Sequence, residues 1–281
     1  MPELPEVETM RRGVAGIVGH TIEDARRVPC RLRPIRVTPG PVALRRRVVG
    51  RTITAVERIG KRVVVRLQDD ALVFEPRMTG LILLTDPPGE EHLRFRLQLA
   101  GGEHRQLLYW DRRGLGSVRL LSSRQLKTEL GPDHLGPDAL QVSVDQLRRR
   151  LESSSRAIKV ALLDQRVVAG VGNLYASELL HVARIHPESP CSRLSDRQWS
   201  RLHVAMRQVL KDAIVHEGST LSDGTYRNVL NSPGTYQNHH RVYDRAGQAC
   251  PTCDRSQIRR IVQAQRATFF CPRCQKRVRN R

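Results

Sequence analysis

The first residues of the chain combine a possible nucleophile with possible acid and base groups. Removal of Met1 would leave the imino group of Pro2 at the chain end, with the carboxylates of Glu3 and Glu6 within one helical turn. The reference pKa of an α-amino group lies about 2.5 units below that of lysine, so more of it is unprotonated at neutral pH. Nearby carboxylates raise this pKa, whereas burial and a helix start at Pro5 lower it, and the sequence leaves the net direction open. In the alternative, the two prolines only stiffen the chain end and start a helix.

Six cysteines include four with the spacing of a metal site. Cys250 and Cys253 form one C-x-x-C pair, and Cys271 and Cys274 form a second pair after 17 intervening residues. This spacing is typical of a zinc ribbon, in which four thiolates complete a closed tetrahedral shell around one Zn²⁺. The sequence therefore predicts a structural zinc that stabilises a short hairpin. Disulfides are the alternative, but no signal peptide indicates an oxidising compartment.

A glycine-rich segment precedes a predicted helix in the second half of the chain. Gly170 and Gly172 would let backbone N–H groups approach a phosphate at the helix N-terminus, and Asn173 would cap the helix. A tight turn without a ligand is the alternative.

Hydrophobic periodicity predicts the elements that position these groups. Apolar residues at helical spacing from Val7 to Val18 predict an N-terminal helix, and apolar runs predict strands at 52–67, 71–74, 93–99 and 106–110. Beyond the Gly-Pro pairs at 131–132 and 136–137, the period predicts helices at 144–151, 157–163, 174–182 and 199–214. We therefore expect a mostly antiparallel sheet assembly with a helix packed on it, a linker, and a helical half that ends in the metal module.

The charge of the chain indicates its partner. Among 281 residues, 48 are Lys or Arg and 28 are Asp or Glu, which gives a formal charge of +20 and predicts a polyanionic partner. Only five of the 48 are lysines, and such an arginine surplus can also reflect genomic base composition. No segment approaches the roughly 18 apolar residues needed to cross a bilayer, so nucleic acid is favoured over lipid and a cytoplasmic protein is expected.

Four segments give the chain a specific resemblance to bacterial formamidopyrimidine-DNA glycosylases, base-excision repair enzymes of the helix-two-turn-helix superfamily. In the order and spacing of that family, they are Pro2-Glu3-Leu4-Pro5-Glu6-Val7-Glu8-Thr9, Arg58-Ile59-Gly60-Lys61, Gly170-Val171-Gly172-Asn173-Leu174-Tyr175-Ala176-Ser177-Glu178 and Ala264-Gln265-Arg266-Ala267-Thr268-Phe269-Phe270-Cys271. The resemblance implies an α+β fold with a catalytic antiparallel β-sandwich and flanking helices at 1–131, a linker at 132–141, a helix-two-turn-helix DNA-binding domain at 142–240 and a zinc-ribbon hairpin module at 241–281.

The resemblance also implies an activity on oxidised purines, chiefly 8-oxoguanine and formamidopyrimidines opposite cytosine. Pro2 would attack the anomeric carbon of a flipped nucleotide, Glu3 would exchange protons at the sugar, and Lys61 would transfer protons during strand cleavage. Arg266 would hold a phosphate and assist a second elimination. An amine nucleophile suits this chemistry because a protonated imine acidifies the neighbouring sugar proton. For Lys61, an ordinary edge-strand charge is the alternative.

Five further residues match DNA contacts of the family. Met78 would fill the space left by the extruded base, Arg113 would pair with the orphaned cytosine, and His92, Lys159 and Asn173 would contact phosphates. Without the resemblance, Met78 is a core gap-filler, Arg113 another phosphate-facing arginine, and His92 and Lys159 solvated surface residues. The expected partner is double-stranded DNA that contains oxidised bases or abasic sites, bound by a monomer in the bacterial cytoplasm and associated with the nucleoid.

The chain departs from the family at the residues that select the lesion. Glu75-Pro76-Arg77 replace a His-Leu-Gly-like run, Gly114-Leu115 replace Arg-Phe, and Ser222 replaces a polar or basic residue in the loop that caps the lesion. An apolar Leu115 forfeits aromatic stacking of about 1–3 kcal/mol per base, which predicts weaker discrimination of the opposite base. The sequence therefore does not fix the ranking of lesions.

The sequence leaves two rival functions open. One is a glycosylase of the same superfamily whose specificity has shifted to oxidised pyrimidines. The other is a non-catalytic protein that binds damaged DNA, for which the basic surface and the zinc ribbon would suffice. The joint presence of Pro2, Glu3, Lys61 and Arg266 argues against the second, because binding alone does not require an amine terminus.

Overall fold

A computed structural model describes residues 2–221 and 223–277, which divide into two compact units. Unit 1 contains the chain up to Gly131 together with Ile214–Gln237, and unit 2 contains Pro132–Ala213 and the chain from Asn238 onward. The segment 214–237 thus packs with unit 1, although the sequence-based boundaries, which stay a prediction, place it in the helical domain. Ser222 of the predicted lesion-capping loop lies outside the described residues.

The predicted N-terminal helix is present but ends earlier than its apolar period suggests, at Gly13, and a separate 3-10 turn follows at Ala15–Ile17. Helix α1 spans Leu4–Gly13, with Glu3 as its N-cap and Pro5 in its first turn, where the missing N–H of proline costs no hydrogen bond. Val7 and Met10 are buried in the main core of unit 1. The helix therefore holds Pro2 and Glu3 at a fixed place beside the sheets.

Two sheets form the framework of unit 1 and confirm the predicted sheet assembly. The strands are β1 (Thr21–Arg27), β2 (Arg36–Thr38), β3 (Ala55–Ile59), β4 (Arg62–Arg66), β5 (Asp70–Glu75), β6 (Gly80–Leu83), β7 (Leu93–Ala100), β8 (Gln106–Asp111) and β9 (Ser117–Ser122). One sheet has the order β1-β7-β8-β6, and the other has the order β2-β9-β5-β4-β3, in which β2 and β9 pair in parallel. Helix α2 spans Pro41–Val48, and α3 spans Ser123–Leu130.

The alternating residues of the strands separate two cores. On β5, Leu72 and Phe74 enter the main core, whereas Ala71 and Val73 pack with Leu126 of α3. This is the expected result of side chains that point alternately to the two faces of a sheet. The sequence analysis predicted no element at β1, β2, β6, β9, α2 or α3, and it predicted one strand at 52–67 where the structure has β3 and β4. β2 and β6 are short, with three and four residues, and β1 carries a polar majority.

The register of the five-stranded sheet brings three loops to one end. Ile59 pairs with Arg62 across the turn that holds Lys61, Val63 pairs with Phe74, and Glu75 pairs with Ser117. The Lys61 turn, the segment after β5 that holds Met78, and the 112–116 loop before β9 therefore lie at the same end of this sheet.

Unit 2 contains the predicted helices and the hairpin of the cysteine module. The helices are α4 (Val144–Arg149), α5 (Ile158–Leu162), α6 (Asn173–Val182) and α7 (Asp196–Val215), of which the last two residues of α7 are assigned to unit 1. The hairpin strands are β10 (Arg259–Gln263) and β11 (Arg266–Phe270). Each of the four helices lies where the sequence predicts one. Across the described part of the chain, no helix combines the length and the apolar character needed to span a membrane.

Candidate active site and metal centre

The residue predicted to act as nucleophile lies at a small cavity in unit 1. Pro2 is buried, Glu3 is 3% exposed, and the cavity beside Pro2 measures about 10 Å³. Met78, Leu221 and Tyr226 contribute to its wall. This volume holds about one water molecule, so the cavity is closed to anything as large as a nucleobase.

Glu6 links the start of the chain to the loop after α7. Its carboxylate accepts the backbone N–H of Glu3 at 2.8 Å and the backbone N–H of Ser219 at 2.9 Å. Gly218 has φ of +79°, and a Cβ there would lie 2.8 Å from Glu6 Cγ. The sequence analysis treats Glu6 only as a nearby charge; its spacing to Glu3, which fits a capping box, is the signal that would have identified it.

Tyr226 closes the same corner of unit 1. Its hydroxyl donates to the carbonyl oxygen of Glu217 at 2.9 Å, and its side chain is nearly fully buried. Burial, and then the charge of Glu6, raise the pKa of Tyr226 well above its ordinary value. The phenol therefore stays neutral and acts as a hydrogen-bond donor here.

Arg58 ties α1 to the turn that carries Lys61. Its guanidinium donates to Glu8 Oε2 at 3.1 Å and to the carbonyl oxygen of Gly60 at 3.0 Å. Burial raises the pKa of Glu8, but hydrogen bonds from Arg11 and Arg12 and the charges of Arg11 and Arg58 outweigh it, so the net pKa is lowered. The half-buried Lys61 is thus held in unit 1, the unit that also contains Pro2 and Glu3.

Met78 and Arg113 meet at the surface of unit 1. Met78 is 39% exposed, and the guanidinium of Arg113 donates to its sulfur at 3.0 Å. A methionine that fills a gap in the core would be buried. The exposure of Met78 beside the exposed Arg113 therefore argues against the alternative interpretation. The predicted roles of these two residues toward DNA stay predictions.

Asp111 fixes the loop that presents Arg113, and the sequence analysis missed it. Its fully buried carboxylate accepts from the Thr79 hydroxyl at 2.5 Å, from the Gly116 N–H at 2.7 Å and from the Arg113 N–H at 3.2 Å. Leu115 in the same loop is half-buried. The signal in the sequence is a lone aspartate at the end of the apolar run 107–110.

His92 is half-buried in unit 1 beside other rings and charges. Its Nε2 lies 3.5 Å from Glu91 Oε1, and its ring packs edge-on against Trp110 with a centroid distance of 5.3 Å. The phosphate contact predicted for His92 stays a prediction.

Lys159 and Asn173 meet the cysteine hairpin inside unit 2. The fully buried Lys159 ammonium donates to Asn173 Oδ1 at 2.6 Å, to Thr268 Oγ1 at 2.7 Å and to the carbonyl oxygen of Ala267 at 3.1 Å. Asn173 Nδ2 also donates to the carbonyl oxygen of Ala267, at 3.0 Å. These bonds connect α5 and the start of α6 to β11, a role that the sequence did not reveal.

One expectation about Asn173 is wrong. Gly172 is the N-cap of α6 with an extended backbone, and as a glycine it has no side chain that could cap the helix. Asn173 is the first helical residue, and its side-chain amide bonds to Lys159 and to the carbonyl oxygen of Ala267 instead. The phosphate contacts predicted for Lys159 and Asn173 stay predictions.

Arg266 lies at the tip of the hairpin. It pairs with Gln263 and is exposed. The two turn residues between them, Ala264 and Gln265, have φ of +45° and +60°, values that favour glycine. The tip therefore holds a strained backbone next to Arg266, a feature that clusters at functional sites.

The four predicted cysteine ligands come together in unit 2. The sulfur atoms of Cys250 and Cys274 lie 3.8 Å apart, as do those of Cys253 and Cys271, and all four lie within 4.8 Å of one another. Tetrahedral Zn²⁺ with Zn–S bonds of about 2.3 Å requires S···S distances of about 3.8 Å. The donor set therefore fits one structural zinc, as predicted, and leaves no open coordination position.

Glu178 joins α6 to the beginning of the zinc module. Its fully buried carboxylate accepts the backbone N–H groups of Arg241, Val242 and Tyr243 at 2.9, 2.9 and 2.7 Å. Burial raises the pKa of Glu178 despite these three donors. The helix and the metal module consequently form one hydrogen-bonded body within unit 2.

Three family profiles match consecutive parts of the chain. Residues 1–118 match the formamidopyrimidine-DNA glycosylase N-terminal domain, residues 130–225 match the formamidopyrimidine-DNA glycosylase H2TH domain, and residues 247–277 match the zinc finger found in FPG and IleRS. The formamidopyrimidine-DNA glycosylase of Chloroflexus aurantiacus is 42% identical over 281 residues, covering 98% of each chain. That of Thermus thermophilus is 40% identical over 283 residues, again covering 98% of each chain.

Solved structures give the same match. The Lactococcus lactis Fpg in complex with DNA containing an abasic site aligns with a TM-score of 0.86 at 33% identity, over 98% of this chain and 100% of that chain. The complex of that protein with DNA containing a Fapy-dG lesion aligns with a TM-score of 0.84 at 33% identity over the same shares. These matches confirm the predicted α+β fold and its sequence of a β-sandwich, helical part and zinc hairpin.

Proposed function

The chain belongs to the formamidopyrimidine-DNA glycosylase family, and on that premise we propose that it excises oxidised purines from duplex DNA and then cleaves the strand. The lesions are 8-oxoguanine and formamidopyrimidines. The observation that carries the proposal is the position of Pro2, which is buried beside the buried Glu3 at the start of α1. Pro2 and Met78 both line the same small cavity. The relatives whose complexes with damaged DNA are solved support the choice of partner.

Pro2 acts as the nucleophile once Met1 has been removed. Its nitrogen bonds to C1′ of the damaged nucleotide while the base leaves, and ring opening of the sugar gives an iminium ion. Glu3 exchanges the protons of the sugar in these steps. The iminium group withdraws electrons, so the C2′ proton becomes acidic and the 3′ phosphate leaves by β-elimination.

Lys61 and Arg266 act in strand cleavage. Lys61 transfers protons during elimination, and Arg266 holds a phosphate while the second, δ-elimination releases the 5′ phosphate. The product is a gap of one nucleoside flanked by phosphates. The strained turn next to Arg266 supports this assignment, because such strain persists where the surrounding structure positions a functional group.

The cavity at Pro2 must open to admit a base. Its volume of about 10 Å³ lies far below the roughly 300 Å³ of small-molecule pockets. The segment around Ser219 and Leu221, which contributes part of the wall, is the element whose displacement enlarges the cavity. Breaking the bond from the Ser219 N–H to Glu6 accompanies that displacement.

Borohydride trapping tests the nucleophile. We expect zinc-loaded protein with a free Pro2 to form a covalent complex with a duplex containing 8-oxoguanine, because borohydride reduces the iminium link to a stable amine. The matched control carries a removable peptide extension before Pro2, which turns the nitrogen into an amide without a reactive lone pair. No complex is expected until a protease removes the extension, and Pro2→Gly should also suppress it.

The outcomes separate the possible functions. Base removal by correctly processed protein without a reducible adduct would refute the proposed mechanism. Binding without base removal would point to a damaged-DNA-binding protein. Trapping on duplexes with oxidised pyrimidines but not with oxidised purines would show that the specificity has shifted to pyrimidines. Gly114 and Leu115, which differ from the family at the residues that select the lesion, are the reason to test this outcome.

A further inference from the structure

Unit 1 contains a large basic cavity that the proposed chemistry does not use. Its volume is about 550 Å³, and five arginines and one carboxylate supply its charges. The arginines are Arg33, Arg36, Arg62, Arg77 and Arg119, and the carboxylate is Glu75. A cavity with this composition favours an anion that has several negative oxygens.

The charges inside the cavity are not balanced. Glu75 lies 3.2 Å from the guanidinium of Arg62 and 3.8 Å from that of Arg77, and Arg119 pairs with Glu129. Among residues 2–221 and 223–277, no carboxylate oxygen lies within 4.0 Å of the Arg33 or Arg36 guanidinium, and both side chains are exposed. Two guanidinium groups are therefore available to a ligand.

Gly114 allows the cavity to form. Its φ is +60°, and a Cβ at this position would lie 2.3 Å from the carbonyl oxygen of Arg33. The 112–116 loop and the Arg33 segment approach each other this closely only because residue 114 has no side chain. The glycine that replaces the family's arginine at this position thus removes one charge from the loop. It also leaves room for the Arg33 segment to pack against the loop.

The cavity lies beside the groups predicted to touch the strand opposite the lesion. Gly114, Leu115 and Gly116 line it directly after Arg113, and Arg77 lines it directly before Met78. Arg36 begins β2 opposite Ser117 of β9, at the end of the sheet that also carries Lys61. A strand whose orphaned base meets Arg113 would continue past this cavity.

We propose that the cavity binds backbone phosphates of the DNA strand opposite the lesion, with Arg33 and Arg36 as the main contacts. The inference rests on the proposed function, because it takes Arg113 as the partner of the orphaned base. Guanidinium groups bind phosphate oxygens through paired N–H donors, and such contacts position a duplex without reading its sequence. The lining contains no aromatic side chain on which a base would stack, so the backbone is the part of the strand that fits.

Salt dependence of binding tests this assignment. The full-length, zinc-loaded protein is titrated by fluorescence anisotropy with a duplex that carries a non-cleavable abasic analogue, at about 50–200 mM salt. Each lost phosphate contact reduces the slope of log K against log salt by about 0.9. The variant Arg33→Gln/Arg36→Gln should therefore lose about 0.9 to 1.8 units of slope, for one or two lost contacts, which makes its affinity about 3- to 12-fold less sensitive to this fourfold change in salt.

A matched double variant controls for net charge. Arg105 precedes β8 and Arg124 follows β9, at the strand ends away from the 112–116 loop, and both are exposed. Arg105→Gln/Arg124→Gln removes the same charge from the same unit, and its slope should equal that of the unaltered protein. Thermal unfolding of all three proteins should coincide, which separates lost contacts from lost folding.

Neutral phosphates locate the contact on one strand. Methylphosphonates placed next to the orphaned base in the opposite strand should weaken binding of the unaltered protein and leave Arg33→Gln/Arg36→Gln nearly unaffected, because the shared contact is already lost. The same replacement in the lesion strand should weaken both proteins equally. An unchanged slope, or equal sensitivity of both proteins to opposite-strand replacement, would overturn the inference even if borohydride trapping succeeds. Loss of trapping in the unaltered protein would instead count against the proposed function.

Discussion

The buried ammonium of Lys159 offers a direct test of how unit 2 holds its parts together. It donates to Asn173 Oδ1, Thr268 Oγ1 and the carbonyl oxygen of Ala267, and its side chain is 0% exposed. In Lys159→Met a side chain of similar length replaces it, so little cavity forms. The carbonyl oxygen of Ala267 keeps its bond from Asn173, whereas Asn173 Oδ1 and Thr268 Oγ1 each lose a donor.

The expected loss of stability follows from these two acceptors. A buried polar group that loses its partner costs about 1–3 kcal/mol, and part of this is offset because no ammonium has to be desolvated. We therefore expect the free energy of unfolding of unit 2 to fall by about 2–4 kcal/mol. With a urea m-value of about 2 kcal/mol/M, the midpoint should fall by about 1–2 M.

The assay must report on unit 2 by itself, because a chain with two units need not unfold in one step. Release of zinc to a coloured chelator during urea titration reports on the module that β11 belongs to. The control is Lys211→Met, which removes the same charge from an exposed position on α7 and should change stability by no more than about 0.5 kcal/mol.

A double-mutant cycle sharpens the test. Thr268→Val removes one of the acceptors, so Lys159→Met should cost less in its presence than in its absence. Equal midpoints for Lys159→Met and Lys211→Met would refute the reasoning. A loss of DNA affinity without a loss of stability would show that Lys159 acts only on a ligand.

Three further predictions follow from the same contacts. Asp111→Asn should destabilise unit 1 by about 1–3 kcal/mol in thermal melts, because the amide nitrogen of the asparagine cannot accept the Gly116 N–H. It should also reduce the preference for cytosine opposite the lesion. An unchanged preference would show that the loop does not depend on this carboxylate. Burial, and then the charges of Arg245 and His239, lower the pKa of His240 to about 4, below its unfolded value of about 6.5. The stability that the neutral His240 contributes is therefore present above pH 6.5 and is lost as the pH falls toward 4. The free energy of unfolding should therefore fall by about 2 kcal/mol more between pH 6.5 and 5 in the unaltered protein than in His240→Gln, and parallel pH profiles would contradict this. Cys271→Ser should lose bound zinc in metal analysis and expose the 241–277 module to protease, whereas Cys191→Ser, outside the metal cluster, should keep its zinc.

The local features of this protein could be predicted from its sequence. The zinc site needs four cysteines at a spacing that the chain itself displays, and α1 needs a proline and an acidic residue at its first turn. The four helices of unit 2 follow from their apolar period. Such features depend on residues close in sequence, where the geometry of helix, turn or knuckle is set by local sterics and hydrogen bonds.

The sheets were predicted less completely. The sequence predicted strands at β5, β7 and β8, but not β1 or β6. Strand positions depend on partners in other parts of the chain, since an isolated strand leaves its backbone groups unpaired. The domain boundaries and the roles of the candidate site residues stay predictions.

Other features were decided only by the tertiary structure. Glu6 meets Ser219, which is 213 residues away, and Lys159 meets Thr268, which is 109 residues away. The sequence marked Lys159 as a DNA contact but gave no sign that its ammonium is enclosed by protein acceptors. Likewise, the basic cavity exists because the backbone of Arg33 reaches a glycine in a loop of a different strand pair. Contacts of this kind depend on how whole elements pack. The packed elements exclude water, and this exclusion sets the free energy of a buried ion or hydrogen bond.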